Sequence, residues 1–202
     1  MKLLVATQNQ GKMREFRALL APLSGTAVCF PPDLGLHLDV VEDGESYVAN
    51  ASKKALAHAR QSGLLTLADD SGLEVDALDG APGIRSARFR PGHDADRVAA
   101  LLEEMRDVPW ERRTARFRCV IVIATPEQDL YSAEGTCEGI IAREPAGEGG
   151  FGYDPVFYLP EQACTMAQLA QGKKDLISHR GRAAAAALPT LRLLSRDALA
   201  QK

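Results

Sequence analysis

The chain is organised around the stretch Leu67-Ala68-Asp69-Asp70-Ser71-Gly72-Leu73-Glu74-Val75-Asp76. We interpret residues 64–68 as a hydrophobic strand that ends on the two carboxylates, with a Ser-Gly turn after it. A strand end fixes side chains against a rigid sheet while loop N–H groups stay available to a ligand. Two adjacent carboxylates also need a cation or a lysine nearby, because unpaired buried charge is costly. The alternative is a solvated turn, which these residue types commonly form.

The composition is that of a globular protein, with 202 residues of which 46% are hydrophobic and 25% are charged. This length supports one substantial core and predicts a single domain over residues 1–202. The net charge of -3 argues against a nucleic-acid or membrane-surface binder, so a phosphate ligand would need a local basic cluster. No apolar run approaches the ~20 residues of a membrane span. The N-terminus lacks a signal-peptide core, and we expect a cytoplasmic protein.

The four cysteines are scattered at Cys29, Cys119, Cys137 and Cys164, without a C-x-x-C pair. Their spacing fits neither a zinc site nor a disulfide framework. We therefore predict small core residues in a reducing compartment.

The N-terminus predicts a strand over 2–6, a polar loop over 7–12 and a helix with Met13, Phe16, Leu19 and Leu20 on one face. A helix N-terminus beside Lys12 favours an anion such as a phosphate. The loop is not a Walker A sequence, since it has one glycine and no Gly-Lys-Ser/Thr ending. An Asn N-cap with a surface lysine explains it as well.

A second helix is predicted over 47–61, with apolar residues on one face. Asn50 and Lys54 are four residues apart, so they point the same way, and Asn50 lies one turn from the carboxylates of residues 42–45. The alternative is a solvated face with ordinary charge pairs, which we prefer for Lys53.

The remaining pattern predicts a mixed sheet. Residues 115–124 suit a central strand, while 130–137 and 139–143 suit two further strands of an antiparallel meander. A helix is predicted from Asp94 to about Met105, and no chemistry is assigned to it. Ser178 is a natural N-cap for the alanine-rich helix that follows, which Pro189 should kink or divide.

Residues 147–155 place four glycines around two aromatic residues and an acid. Glycines let the backbone approach a ligand, and an aromatic ring on such a loop can stack on a planar base. The alternative is a flexible connector with a buried Phe151. Downstream, His179 and Arg180 lie in a predicted first helical turn, where cations are disfavoured, so a negative or acceptor-rich ligand is expected nearby.

Six separated motifs together resemble the inosine triphosphate pyrophosphatase family, the noncanonical purine nucleoside triphosphate pyrophosphatases (HAM1-like). They run in the same order from residue 2 to about residue 194. The motifs are Thr7-x-Asn9-x-x-Lys12, Asn50-Ala51, Ala68 to Leu73, Gly80-Ala81-Pro82-Gly83 with Ser86-Ala87-Arg88, Gly150 to Pro155, and Lys174 with Ser178-His179-Arg180-Gly181.

The resemblance implies a cytoplasmic, Mg2+-dependent homodimer that hydrolyses ITP, dITP and XTP to the monophosphate and pyrophosphate. It implies an α/β fold with a long, curved mixed sheet flanked by helices, in two lobes around a central nucleotide cleft. Nucleic-acid and membrane partners are not expected.

The resemblance also implies the roles of individual residues. Metal binding falls to Glu42 and Asp70, and catalysis to Asp70 with Lys54 and Asp69. Our hypothesis is that Asp70 orients a metal-bound water while Asp69 supports that arrangement. The substrate-binding positions are Thr7, Gln8, Asn9, Gln10, Gly11, Lys12, Ser71, Phe151, Gly152, Tyr153, Asp154, Lys174, His179 and Arg180.

Two positions depart from the family pattern. Ala49 replaces the usual Glu of the helix opening, which predicts a weaker affinity for Mg2+, and Arg85 stands where Tyr is common. A Maf-like pyrophosphatase for another modified nucleotide, and a nucleotide sensor without turnover, are the alternative functions. The sequence leaves open which substrate matters in the cell, whether Asp69 or Asp70 is the base, and which residues form a dimer contact.

Overall fold

The computed structural model describes residues 1–200, and the side chains of residues 1–195. The strands are β1 (Lys2–Val5), β2 (Ala27–Cys29), β3 (Leu65–Val75), β4 (Thr114–Ala124), β5 (Leu130–Ile141), β6 (Phe157–Leu159) and β7 (Cys164–Thr165). The α-helices are α1 (Gln10–Leu19), α2 (Tyr47–Ser62), α3 (Asp94–Glu104), α4 (Gln171–Ile177) and α5 (His179–Ala200). Short 3-10 helices connect several of these elements.

The seven strands form one sheet in the order β2-β1-β3-β4-β5-β6-β7. β1 pairs in parallel with both β2 and β3, and Leu4 lies opposite Thr66. β6 pairs antiparallel with β5 and with β7. The chain passes from β1 to β2 through α1 and from β2 to β3 through α2, because parallel strands need a crossover connection. The predicted α/β fold with a mixed sheet is confirmed.

Contacts divide the chain into two compact units. The first unit contains residues 1–70, 119–135 and the chain from Arg180 onward, and the second contains residues 71–118 and 136–179. Each unit has its own buried core. Leu3, Phe16 and Ile121 belong to the core of the first unit. Leu73 and Phe157 belong to that of the second.

The predicted strand end and turn in residues 64–72 are wrong. β3 continues without interruption from Leu65 to Val75, so the two aspartates and the Ser-Gly pair lie inside a strand. Leu73 and Val75 are fully buried, and this burial extends the strand beyond Ala68. Residues that usually form turns are tolerated here because both aspartates have polar partners within the protein and do not require hydration by solvent.

The prediction of two strands over 130–143 is also wrong, since β5 is continuous through Gly139. A Cβ atom on Gly139 would lie 2.6 Å from the Phe157 ring. The glycine therefore allows a close approach of ring and backbone rather than marking a break.

α5 is the longest helix, with 22 residues, and Pro189 lies inside it without dividing it. Proline removes one N–H donor, but Ala187 and Leu191 on either side are buried in the core of the first unit. That packing carries the helix past the proline. None of the helices described in residues 1–200 has the length and apolar composition needed to cross a membrane.

Candidate active site

Asp69 and Asp70 are neighbours on β3, so their side chains leave the strand on opposite faces. Asp69 is 2% exposed, and its Oδ2 atom lies 2.9 Å from Nζ of Lys12. The same atom accepts hydrogen bonds from Nε and a terminal nitrogen of Arg180, at 3.3 and 3.2 Å. Asp69 thus joins the first turn of α1 to the first turn of α5.

Arg180 has a second buried partner, because its other terminal nitrogen donates to Oε2 of Glu15 at 2.7 Å. The side chains of Glu15 and Arg180 are 5% and 2% exposed. Glu15 was not among the predicted site residues. The available signal was an acid next to Phe16 on the predicted apolar face of α1, where a charged group needs a partner.

The charges around Asp69 decide its protonation. Burial favours the neutral carboxyl, but the cations Lys12, Arg180 and Lys54 outweigh this effect and hold the pKa of Asp69 well below its usual range. Burial would lower the pKa of Arg180, but Asp69 and Glu15 outweigh it and hold that pKa above its usual range. Asp69 is therefore a permanently ionised anchor and a poor proton acceptor.

Lys54 projects from α2 toward the backbone of β3. Its Nζ atom donates to the carbonyl oxygen of Asp69 at 2.6 Å and lies 2.8 Å from Oε1 of Glu42. Burial opposes the charged form, but Asp69, Asp70 and Glu42 outweigh burial and raise the pKa of Lys54. Lys54 is thus a fixed cation. Lys53 instead pairs with exposed Asp43, which confirms its solvated interpretation.

Asp70 faces Asn50, whose Nδ2 donates to Oδ2 of Asp70 at 3.1 Å. The Oδ1 atom of Asn50 accepts from the backbone N–H of Gly44 at 2.8 Å, so this fully buried amide connects the loop before α2 to β3. Burial raises the pKa of Asp70; the positive charges of Lys54 and Lys12 oppose the shift, and the negative charge of Glu42 adds to it. Burial thus sets the pKa of Asp70 apart from that of Asp69, which the neighbouring cations hold low.

The loop before α1 forms a capped helix start. Oδ1 of Asn9 accepts from the backbone N–H of Lys12 at 3.1 Å, and the N–H of Asn9 donates to Thr7 Oγ1 at 3.2 Å. Gln8 and Gln10 are exposed, while Gly11 is buried. The N-cap interpretation of Asn9 is confirmed, and Lys12 is committed to Asp69 rather than free at the surface.

In the second unit, Phe151, Asp154 and Lys174 form a cluster. Asp154 Oδ2 accepts from the backbone N–H of Phe151 at 2.8 Å and from Lys174 Nζ at 2.6 Å. The Lys174 ammonium also lies 5.0 Å from the centroid of the Phe151 ring. Lys174 and Asp154 are almost fully buried, so this ion pair is well shielded from solvent.

The other predicted residues of the second unit are tied to different elements. The Tyr153 hydroxyl donates to the carbonyl of Ser86 at 2.9 Å, and burial raises the pKa of Tyr153 to about 12. The Ser86 hydroxyl accepts a hydrogen bond from the N–H of Leu73 at 2.8 Å. Ser71, two residues before Leu73 on β3, is half-buried. His179 is 5% exposed and stacks on Phe117, with ring centroids 4.6 Å apart.

The predicted magnesium ligands Glu42 and Asp70 fit the donor chemistry of that ion. The two carboxylates belong to one cluster, because both raise the pKa of Lys54. In addition, Glu42 raises the pKa of Asp70. Within the described residues, no group of three or more His, Cys, Asp or Glu side chains is placed to hold a metal. Two carboxylates suffice for Mg2+ when phosphates and water complete its shell.

Comparison with known proteins adds an independent line of evidence. The sequence profile of the Ham1 family matches residues 3–190. A dITP/XTP pyrophosphatase of Desulforamulus reducens is 53% identical over 196 residues, which cover 96% of this chain and 97% of that protein. Another, of Geobacillus kaustophilus, is 49% identical over 184 residues and 90% of each chain. The solved HAM1 protein of Coxiella burnetii superposes with a TM-score of 0.83 at 37% identity, covering 98% of this chain and 99% of that one.

Proposed function

The chain belongs to the Ham1 family, and on that premise we propose that it is a pyrophosphohydrolase of noncanonical purine nucleoside triphosphates. The substrates are dITP, ITP and XTP, and the products are the monophosphate and pyrophosphate. The observation that carries the proposal is that two neighbouring acids have different partners. Asp69 is neutralised by Lys12 and Arg180, whereas Asp70 accepts a hydrogen bond from Asn50. This arrangement supplies both an anchored cation and a separate proton acceptor.

The cations of the first unit are suited to a polyanionic substrate. Lys12 at the start of α1 and Lys54 on α2 are fixed by Asp69 and Glu42, so they are already ordered before a phosphate binds. Preorganised positive charge stabilises the charge that develops on a pyrophosphate leaving group. In the loop before α1, the backbone N–H groups of Gln8, Gln10 and Gly11 are proposed to donate to phosphate oxygens, because those of Thr7, Asn9 and Lys12 donate within the protein.

Glu42 and Asp70 are the residues that would hold Mg2+. When bound, magnesium neutralises phosphate charge and lowers the pKa of a coordinated water. Asn50 orients the Asp70 carboxylate by its hydrogen bond, and Lys54 restrains Glu42. Asp70 then accepts the proton of the water that attacks the α-phosphorus, and Asp69 stays ionised as the anchor of Lys12.

The base is proposed to stack on Phe151, a contact that does not distinguish one purine from another. Selectivity then depends on donors that face the six-position, among them Arg180 and backbone N–H groups. A 6-amino purine would place donor against donor and leave buried groups unpaired. Because Arg180 also holds Glu15 and Asp69, we expect its substitution to change turnover as well as selectivity.

Magnesium as the metal, a homodimeric assembly and a cytoplasmic location belong to the same proposal. All three follow from the family resemblance, and the scattered cysteines are those expected in a reducing compartment. Light scattering or sedimentation of the purified protein measures the assembly state directly.

The function is tested by pyrophosphate release from ITP, dITP, XTP, ATP, GTP and modified pyrimidine triphosphates, with Mg2+ and with excess chelator. We expect release from the 6-oxo purines ITP, dITP and XTP, much slower release from ATP, and loss of release with chelator. Equal catalytic efficiency on ATP and ITP would refute the selectivity. Release confined to a modified pyrimidine would identify a Maf-like activity, and tight binding without release would identify a sensor.

A further inference from the structure

We propose that Asp94, at the start of α3, is a positioning residue for the base-stacking ring of Phe151. This inference rests on the proposed function, because it takes the Phe151 ring as the surface that a purine base covers. Asp94 itself touches neither base nor phosphate in this proposal. It acts by fixing the backbone that carries the ring.

The first observation is that two side chains accept hydrogen bonds from successive backbone N–H groups in the glycine-rich loop of residues 147–155. The N–H of Gly152 donates to Oδ2 of Asp94 at 2.7 Å, and the N–H of Phe151 donates to Oδ2 of Asp154 at 2.8 Å. Asp154 lies three residues from Phe151, whereas Asp94 lies 58 residues away from Gly152 along the chain. Asp94 therefore connects the loop to α3, whereas the bond between Asp154 and Phe151 lies within the loop.

The second observation is the backbone of the loop. Gly150 and Gly152, which flank Phe151, have φ angles of +74° and +63°. Glycine adopts this left-handed region freely, and glycine-rich segments have many accessible backbone states. An external acceptor on Gly152 removes some of that freedom at the residue next to the ring. The ring is then ordered before a base arrives, which lowers the cost of binding.

The third observation is that Asp94 is itself held in place. Its Oδ1 atom lies 2.5 Å from a terminal nitrogen of Arg97, and the other terminal nitrogen of Arg97 donates to the carbonyl of Gly92 at 2.8 Å. One carboxylate oxygen of Asp94 thus binds Arg97 in α3, and the other binds the backbone of Gly152. The Asp94 side chain is 48% exposed, so core packing does not account for its position.

Asp96 provides a matched control in the same turn of α3. Its Oδ2 atom accepts from the backbone N–H of His93 at 2.7 Å, which is a helix-start bond like many others. Removing either carboxylate weakens the start of α3. Only Asp94 carries the described bond to Gly152.

The experiment compares Asp94→Ala, Asp94→Asn and Asp96→Ala in steady-state hydrolysis of ITP and in calorimetric binding of IMP. For Asp94→Ala we expect roughly a tenfold increase in the KM for ITP and in the Kd for IMP, the effect of one lost charge-assisted hydrogen bond. Its kcat should stay within about threefold, because the phosphate-binding residues are untouched. Asp94→Asn keeps an oxygen acceptor for Gly152 and should recover much of the affinity, and Asp96→Ala should resemble the unmodified protein.

Equal KM and Kd values for Asp94→Ala and Asp96→Ala would overturn the inference, as would a loss confined to kcat. If Asp94→Ala fails to fold, the comparison uses Arg97→Gln, which removes the ion pair that holds Asp94, and unchanged IMP affinity in that variant would overturn the inference equally. Failure of the proposed function is recognised separately, because the unmodified protein would then neither hydrolyse ITP nor bind IMP. The positioning role would fall with it.

Discussion

Lys12 and Asp69 form an ion pair with Nζ 2.9 Å from Oδ2, although one residue opens a helix and the other lies inside a strand. Arg180 neutralises the same carboxylate from α5. Asp69 is therefore the fixed counter-ion of Lys12, and the proposed function assigns phosphate binding to Lys12 and proton transfer to the adjacent Asp70. The predictions below separate these roles and test the packing that creates them.

Asp70→Asn should reduce kcat for ITP by roughly a thousandfold or more, because the isosteric amide cannot accept a proton. Nucleotide binding should survive, since Lys12 and Lys54 remain in place. Asp69→Asn is the matched control and should chiefly weaken binding, because Lys12 loses its counter-ion. Turnover close to that of the unmodified protein in Asp70→Asn would contradict the assignment.

Glu15→Gln should lower the free energy of unfolding by about 2–4 kcal/mol, because it leaves Arg180 buried with one carboxylate fewer. Glu104→Gln removes an exposed partner of Arg90 and should cost less than about 1 kcal/mol. Urea denaturation measures both. Similar values for the two variants would show that the Glu15 pair contributes no more than a surface pair.

Arg113→Lys should destabilise the protein by about 2–4 kcal/mol, because the single ammonium nitrogen of lysine cannot reach the separate carbonyls that three guanidinium nitrogens bind. The buried Arg113 guanidinium donates to the carbonyls of Met105, Ile141 and Ala142 at 2.5, 2.7 and 2.9 Å. The exposed neighbour Arg112 provides the control substitution, Arg112→Lys, which should leave thermal unfolding unchanged. An equal effect of the two variants would refute the role of Arg113.

One cysteine should react readily with a thiol reagent in the folded protein, and four should react after denaturation. Cys164 is partly exposed, whereas Cys29, Cys119 and Cys137 are buried. Burial, followed by the negative charge of Asp69, raises the pKa of Cys119 to about 12, so almost no thiolate forms at mildly alkaline pH. Cys164→Ser should abolish the fast phase, and a fast phase that persists would contradict this burial pattern.

Sequence reasoning predicted most helices and strands because their apolar periodicity is local. The α2 prediction over 47–61 is close to the observed Tyr47–Ser62, and the predicted start of α3 at Asp94 is correct. Sequence reasoning failed inside β3, where Asp, Ser and Gly are usually turn formers. Pro189 was predicted to kink or divide the last helix; α5 continues past it, and its neighbours Ala187 and Leu191 are buried in the core of the first unit.

Asn50 and Lys54 were predicted to share a face because their spacing along a helix is fixed. Their partners Gly44, Asp70 and Glu42 are observed in the structure. Glu15 and Asp94 were not predicted as functional, since nothing in their own neighbourhoods identifies Arg180 or Gly152 as a partner. Those bonds join residues 165 and 58 positions apart.

The sequence by itself determined the family, the mixed α/β fold and the set of acids, lysines and aromatic residues available to a nucleotide. Only the tertiary structure gave Asp69 and Asp70 different environments. The two side chains are chemically identical and adjacent, and a strand sends them to opposite faces. Which face meets Lys12 and Arg180, and which meets Asn50, depends on helices brought together from distant parts of the chain.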